Sequence, residues 1–132
     1  MLQPGQSGDP IQVTITPAWN AAYRAATKDV STPEEHDGRV VAPPLMLALL
    51  GRMAMAWIPV AAGAVHAKQS YRFHRPLLVG EEITVQATIL DLFSKRNKDY
   101  TQIGVRATFS TGLLLGEGTT TRIAPFRTEG GR

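Results

Sequence analysis

The chain has 132 residues, 43% hydrophobic and 19% charged, with a net charge of +3 and no cysteine. That length suits one domain with a sizeable core, and the positive charge is too weak and scattered for a nucleic-acid surface. Without cysteine there is no disulfide, thiol nucleophile or cysteine-ligated metal.

Met1 to Pro10 is polar and rich in Gly and Pro. It lacks the apolar core of a signal peptide, so a flexible tail on a cytoplasmic protein is expected. Ile11, Val13 and Ile15 then alternate with polar residues, which predicts a short strand opening a domain over 11–126. Thr16-Pro17 offers a cap and a first-turn proline, so a short helix should run to near Lys28. Its packed face would carry Trp19, Tyr23 and Ala26. Asp29 to Arg39 is polar and turn-rich, and predicts an irregular loop.

A long helix opens at Pro43-Pro44 and closes before Pro59. Apart from Gly51 and Arg52 it is apolar nearly all round, so a sheet should cover most of it. The run Leu45 to Ile58 would span only about 21 Å, short of a bilayer core of about 30 Å, so it is no membrane span. Small residues at Ala48, Gly51, Ala54 and Ala56 would let that helix sit close to the sheet, or leave open space beside it where Leu would fill it.

The remaining segments supply the strands: Val65 to Arg75, Glu82 to Leu92, Tyr100 to Ser110 and Leu113 to Ala124. In the first of these, Tyr71, Phe73 and Arg75 alternate with Arg72 and His74, the period of a strand with one packed face. Pro76 ends it, because proline has no N–H for the ladder. Lys95-Arg96-Asn97-Lys98 should be a hairpin turn. Gly116-Glu117-Gly118 should mark a bulge, since the apolar phase shifts there. His66 falls on a polar face, and Arg127 to Arg132 reads as a flexible tail. His36, His66 and His74 lack ligand spacing, so no metal is expected.

Taken together, Val41-Ala42-Pro43-Pro44 and Phe73-His74-Arg75-Pro76-Leu77, with Gly80-Glu81 after it, resemble MaoC-like dehydratases. The likeness runs from about Tyr23 to Pro125 and is closest to the amino-terminal, FAS1-like half-domain. It implies an α+β hot-dog fold, a single antiparallel sheet wrapped around one long central helix. It also implies hydration of 2-enoyl thioesters of coenzyme A or acyl carrier protein, or the reverse dehydration. No cofactor is then expected beyond the coenzyme A or phosphopantetheine of the substrate.

In such enzymes an aspartate and a histidine flanking an Asn-Pro handle water and proton, and an amide at the start of the central helix holds the thioester oxygen. Asp29 and His36, around Thr32-Pro33, are the available pair, spaced more widely than in the family. Pro43 and Pro44 stand where the family has His-Gly, and Pro44 carries no amide hydrogen. Losing one such donor costs on the order of 3 kcal/mol of barrier. The expectation is therefore a substrate-channel subunit whose hot-dog partner supplies the dyad. Pro43, Pro44 and Leu45 would border the acyl group, with Met46, Met53 and Met55 either filling the core or lining an adaptable tunnel. The resemblance gives His74 and Arg75 a structural role, turning the chain between strands at a subunit contact; alternatively, Arg72 or Arg75 would meet a phosphate of the carrier.

Three other readings stay open. The chain could be a self-sufficient homodimeric hydratase using Asp29 and His36, or a thioesterase using Glu34, Glu35 or Asp37. It could also be a non-catalytic module that binds acyl thioesters. An unpaired edge strand is itself a reason to expect a partner hot-dog, identical or different.

Overall fold

The computed structural model describes residues 2–125. The tail expected over 127–132 lies outside the described residues. In chain order the elements are β1 (Ile11–Thr14), α1 (Pro17–Ala26), β2 (Glu35–His36), β3 (Arg39–Val40), α2 (Met46–Ala54), β4 (Val65–Phe73), β5 (Glu82–Lys95), β6 (Lys98–Phe109) and β7 (Leu114–Pro125). Five of the strands form one antiparallel sheet in the order β1-β5-β6-β7-β4.

The core lies between this sheet and α2. Alternate residues of β5 and β6, Ile83, Val85, Ala87 and Ile89 against Ile103, Val105 and Ala107, are buried, as are Met46, Leu47, Leu50 and Ala54 of α2. Period-two burial along the strands and three-to-four spacing along the helix are what two packed layers require. The expected α+β arrangement, a sheet around a central helix, is present.

The helix itself is shorter than expected, nine residues, or about 14 Å of regular rise. It is extended at its carboxyl end by single turns, with Met55 N donating to Gly51 O and Ile58 N to Met55 O. Nor is it covered on most sides: Leu45 is 67% exposed and Met53 48%, and Arg52 is exposed too. One apolar stripe of α2 is thus open within the single chain.

Other boundaries also move. The β5–β6 hairpin turns at Arg96 and Asn97, both at positive φ as a two-residue hairpin demands. Strand β4 stops at Phe73 because His74 N and Arg75 N both donate to Leu115 O. It has hardly a packed face, since it is the sheet edge and only Tyr71 is half-buried. The bulge falls at Leu115, between the pairs Ala107–Gly116 and Thr108–Leu114, so Gly116 to Gly118 stay in regular register. On α1, Thr16 Oγ1 caps Trp19 N at 3.0 Å, but the buried residue is Asn20, and Ala26 is exposed.

Residues 2–10, expected to hang free, instead lie along β5 beyond the end of β1. Gly5 N donates to Ile89 O at 2.7 Å, Ile89 N to Gln6 O at 2.8 Å, and Ser7 Oγ meets Thr88 Oγ1 at 2.6 Å. The exposed backbone groups of β5 there need partners, and this segment provides them. Gly8 is required by the close approach of Trp57, whose Nε1 would stand 2.2 Å from a Cβ.

Candidate functional site

The start of α2 is held by the strand-to-strand turn beside it. Ala42 N donates to Leu77 O at 2.7 Å and Val79 N to Val40 O at 2.9 Å, so Pro43-Pro44 leaves the sheet at a fixed point. Two prolines in succession suit a helix entrance, where amide hydrogens lack intrahelical acceptors anyway. The amides that follow are already engaged: Met46, Leu47 and Ala48 N donate to Pro43, Pro44 and Leu45 O, each at 3.0 Å. An oxygen arriving at this cap would find the Leu45 N–H as its one donor, for which the described backbone supplies no acceptor.

Asp29 and His36 are not joined by any hydrogen bond or ion pair among the described residues. The Asp29 carboxylate accepts from Ser31 N at 3.0 Å and Ser31 Oγ at 2.6 Å, and Arg24 stands 3.5 Å away. The Ser31 bonds above all, and Arg24 after them, hold its carboxyl below the usual aspartate value. It is a turn-forming Asp satisfied by its own loop. His36 sits in a two-strand hairpin that the sequence reading missed, turning through Asp37 and Gly38 at positive φ. The signal was the Asp-Gly pair. Its Nε2 faces Asp37 Oδ2 at 3.4 Å.

Two clefts carry the remaining candidates. The first, of about 520 Å³, brings His36 and Arg75 together with Arg39 where the hairpin meets the Pro76–Glu82 turn. Sequence reasoning missed Arg39, whose guanidinium lies over Gly80, 3.2 Å from where a Cβ would be. The second, of about 530 Å³, runs between α2 and the β4 edge, with Leu45, Leu49, Arg52, His66 and Gln69 on its walls. His66 is exposed, as its polar strand face suggested.

Arg72 lies apart from both. It shares the outer sheet face with Glu117 and Arg106, opposite each other in register. Glu117 Oε2 bonds His74 Nε2 at 2.9 Å, and that bond chiefly lowers the Glu117 pKa, helped by Arg106 and Arg72. Arg72 thus belongs to a charge cluster on the sheet, separate from the Arg39–Arg75 cleft.

On the concave face, Tyr71 reaches towards α2. Its hydroxyl is buried without a hydrogen-bond partner, as is the Thr120 hydroxyl. Burial raises the Tyr71 pKa.

A family model described as the FAS1-like dehydratase domain region matches residues 21–111. No curated protein matches the chain by sequence. Among solved structures it is similar to the unliganded R-hydratase PhaJ1 of Pseudomonas aeruginosa, with 19% identity and a TM-score of 0.77, over 96% of this chain and 84% of that one. It is also similar to the (R)-hydratase of A. caviae involved in PHA biosynthesis, at 22% identity and a TM-score of 0.76, over 92% and 96% of the two chains. A third is the C-terminally truncated HadBC (3R-hydroxyacyl-ACP dehydratase) complex of Mycobacterium tuberculosis, at 19% identity and a TM-score of 0.75, again over 92% and 96%. What they share with this chain is the hot-dog fold.

Proposed function

The chain belongs to the family of FAS1-like dehydratase regions, and from that membership we propose that it is the substrate-channel subunit of a 2-enoyl-thioester hydratase or dehydratase. A second hot-dog subunit supplies the catalytic Asp and His. The observation that carries this reading is the entrance of α2. Pro44 offers no N–H, and the next free amide is a residue later, at Leu45. The local commitment of Asp29 to Ser31 points the same way.

In hydration, water adds through oxygen to the β-carbon and a proton goes to the α-carbon, while the thioester oxygen carries transient negative charge. That charge requires preorganised donors, each worth about a hundredfold in rate. A subunit whose cap offers only the displaced Leu45 N–H contributes instead to binding. Arg75 and Arg39 would take a phosphate of coenzyme A or phosphopantetheine by charge-assisted hydrogen bonds. The acyl chain would lie along α2, beside Leu45 and the small Ala48. No cofactor of its own is needed, and the reaction belongs in the cytoplasm. Among the described residues no helix is long and apolar enough to cross a membrane.

Association with a second hot-dog is supported by the open stripe of α2 and the exposed β4 edge. HadBC, a structural neighbour, is itself a complex. The test is hydration of crotonyl-CoA by the purified chain, alone and mixed with candidate hot-dog partners. A rise of about a hundredfold or more on pairing is expected. Full-speed turnover by the chain alone would sink the proposal. It would favour the self-sufficient homodimer, for which His36 beside Arg39 and Arg75 is the supporting observation.

A further inference from the structure

We propose that the cleft beyond the carboxyl end of α2 binds an apolar-bodied monocarboxylate whose head is held by Arg122. The cleft encloses about 380 Å³, between the 59–64 loop and the far end of β5, β6 and β7. Leu2, Val60, Leu92, Tyr100 and Pro125 give it largely apolar walls. A site of that size and lining suits a medium-chain ligand with one polar anchor.

Arg122 lies opposite Thr101 of β6 and His66 of β4. Its row on the sheet carries the same phase as the buried pair Ile103 and Thr120, so its side chain lies on the concave face, half-buried. Both its Nε and Nη1 are buried without a hydrogen-bond partner, and no carboxylate among the described residues stands within ion-pair distance. Burial lowers its pKa, and the nearby Arg52 guanidinium of α2 lowers it further. A half-buried guanidinium facing a second one, with no counter-charge among the described residues, is an arrangement that an anion would relieve.

The one carboxylate in the cleft does not fill that role. Asp99 stands two residues farther along β6, at the hairpin end, and accepts from Ser94 Oγ at 2.6 Å. It would repel a carboxylate beside it, which leaves Arg122 as the place for the head, with the apolar body along the apolar walls. This site is independent of the thioester reading, since it needs neither the α2 entrance nor a partner subunit.

Titration calorimetry of the full chain with decanoate and with decan-1-ol tests it, because the two ligands differ chiefly in the charged head. Saturable decanoate binding is expected, with the alcohol about tenfold weaker or worse. Arg122→Met should abolish the preference without lowering thermal stability, because it removes a half-buried charge that has no carboxylate partner among the described residues. Ala64→Leu, another lining residue, should weaken both ligands while leaving Arg122 unaltered. Equal binding of the two ligands by the unaltered chain, or binding of neither, would overturn the proposal, and so would unchanged decanoate affinity in Arg122→Met.

Discussion

Tyr71 occupies the space in which a side chain on Gly118 would begin: a Cβ there would stand 2.3 Å from Tyr71 Cδ1 and 2.5 Å from Cε1. Across the layer, a Cβ on Gly51 of α2 would stand 2.7 Å from the Tyr71 hydroxyl. Two glycines therefore admit one aromatic ring between sheet and helix. Gly118→Ala should destabilise the protein by about 1–3 kcal/mol through overpacking. Combining it with Tyr71→Ala should recover part of that loss, as a denaturant double-mutant cycle would show. Tyr71→Phe should be neutral or stabilising by about 1 kcal/mol, since it deletes a buried hydroxyl without a partner.

If the partner subunit carries the chemistry, the α2 entrance of this chain is silent in catalysis. Pro44→Gly, Asp29→Ala and His36→Ala should each leave kcat of the reconstituted complex within about twofold, whereas loss of an acting donor would cost about a hundredfold. Steady-state hydration of an enoyl thioester measures this. A collapse of kcat in His36→Ala would move the dyad into this chain.

Arg39 and Arg75 share a cleft, while Arg72 faces Glu117 on the sheet. Arg75→Gln and Arg39→Gln should each raise KM for a coenzyme A thioester about tenfold with kcat little changed, the mark of lost ground-state binding. Arg72→Gln should leave KM as it is. Equal effects at all three positions would assign the phosphate contact to general surface charge.

The open stripe of α2 predicts where association can be broken without harming the fold. Leu45→Glu with Met53→Glu alters two side chains that are 67% and 48% exposed in the single chain. Each loses about 1.5–3 kcal/mol of burial if covered by a partner. Light scattering should then show dissociation, with the circular dichroism spectrum unchanged.

Glu117 gives the stability a pH signature. Its folded pKa lies below the ordinary value of 4.5, chiefly through the His74 bond. Stabilisation is therefore complete above about that pH and is lost as pH falls through the depressed value. Glu117→Gln should flatten the decline of Tm below pH 4.5 and leave its slope near neutrality unaltered. Both partners are largely exposed, so salt should weaken the effect.

The amino-acid order alone determined the α+β class, the identity of the central helix, the four long strands and the Arg96-Asn97 hairpin. These follow from local period and turn chemistry, which act over a few residues. The family likeness was legible for the same reason, because Val41-Ala42-Pro43-Pro44 and His74-Arg75-Pro76-Leu77 are contiguous.

Register and layer packing decided the rest. Nothing local separates Gly118 as a bulge from Gly118 as a seat for Tyr71, because the ring comes from another strand. The docking of residues 2–10 on β5, the parting of Arg72 from Arg75 and the placing of Arg122 on the concave face all depend on pairings between distant segments. Sequence period assigns each side chain to a face of its own strand or helix. Only the tertiary structure decides which faces meet, and so which charges are left without a partner.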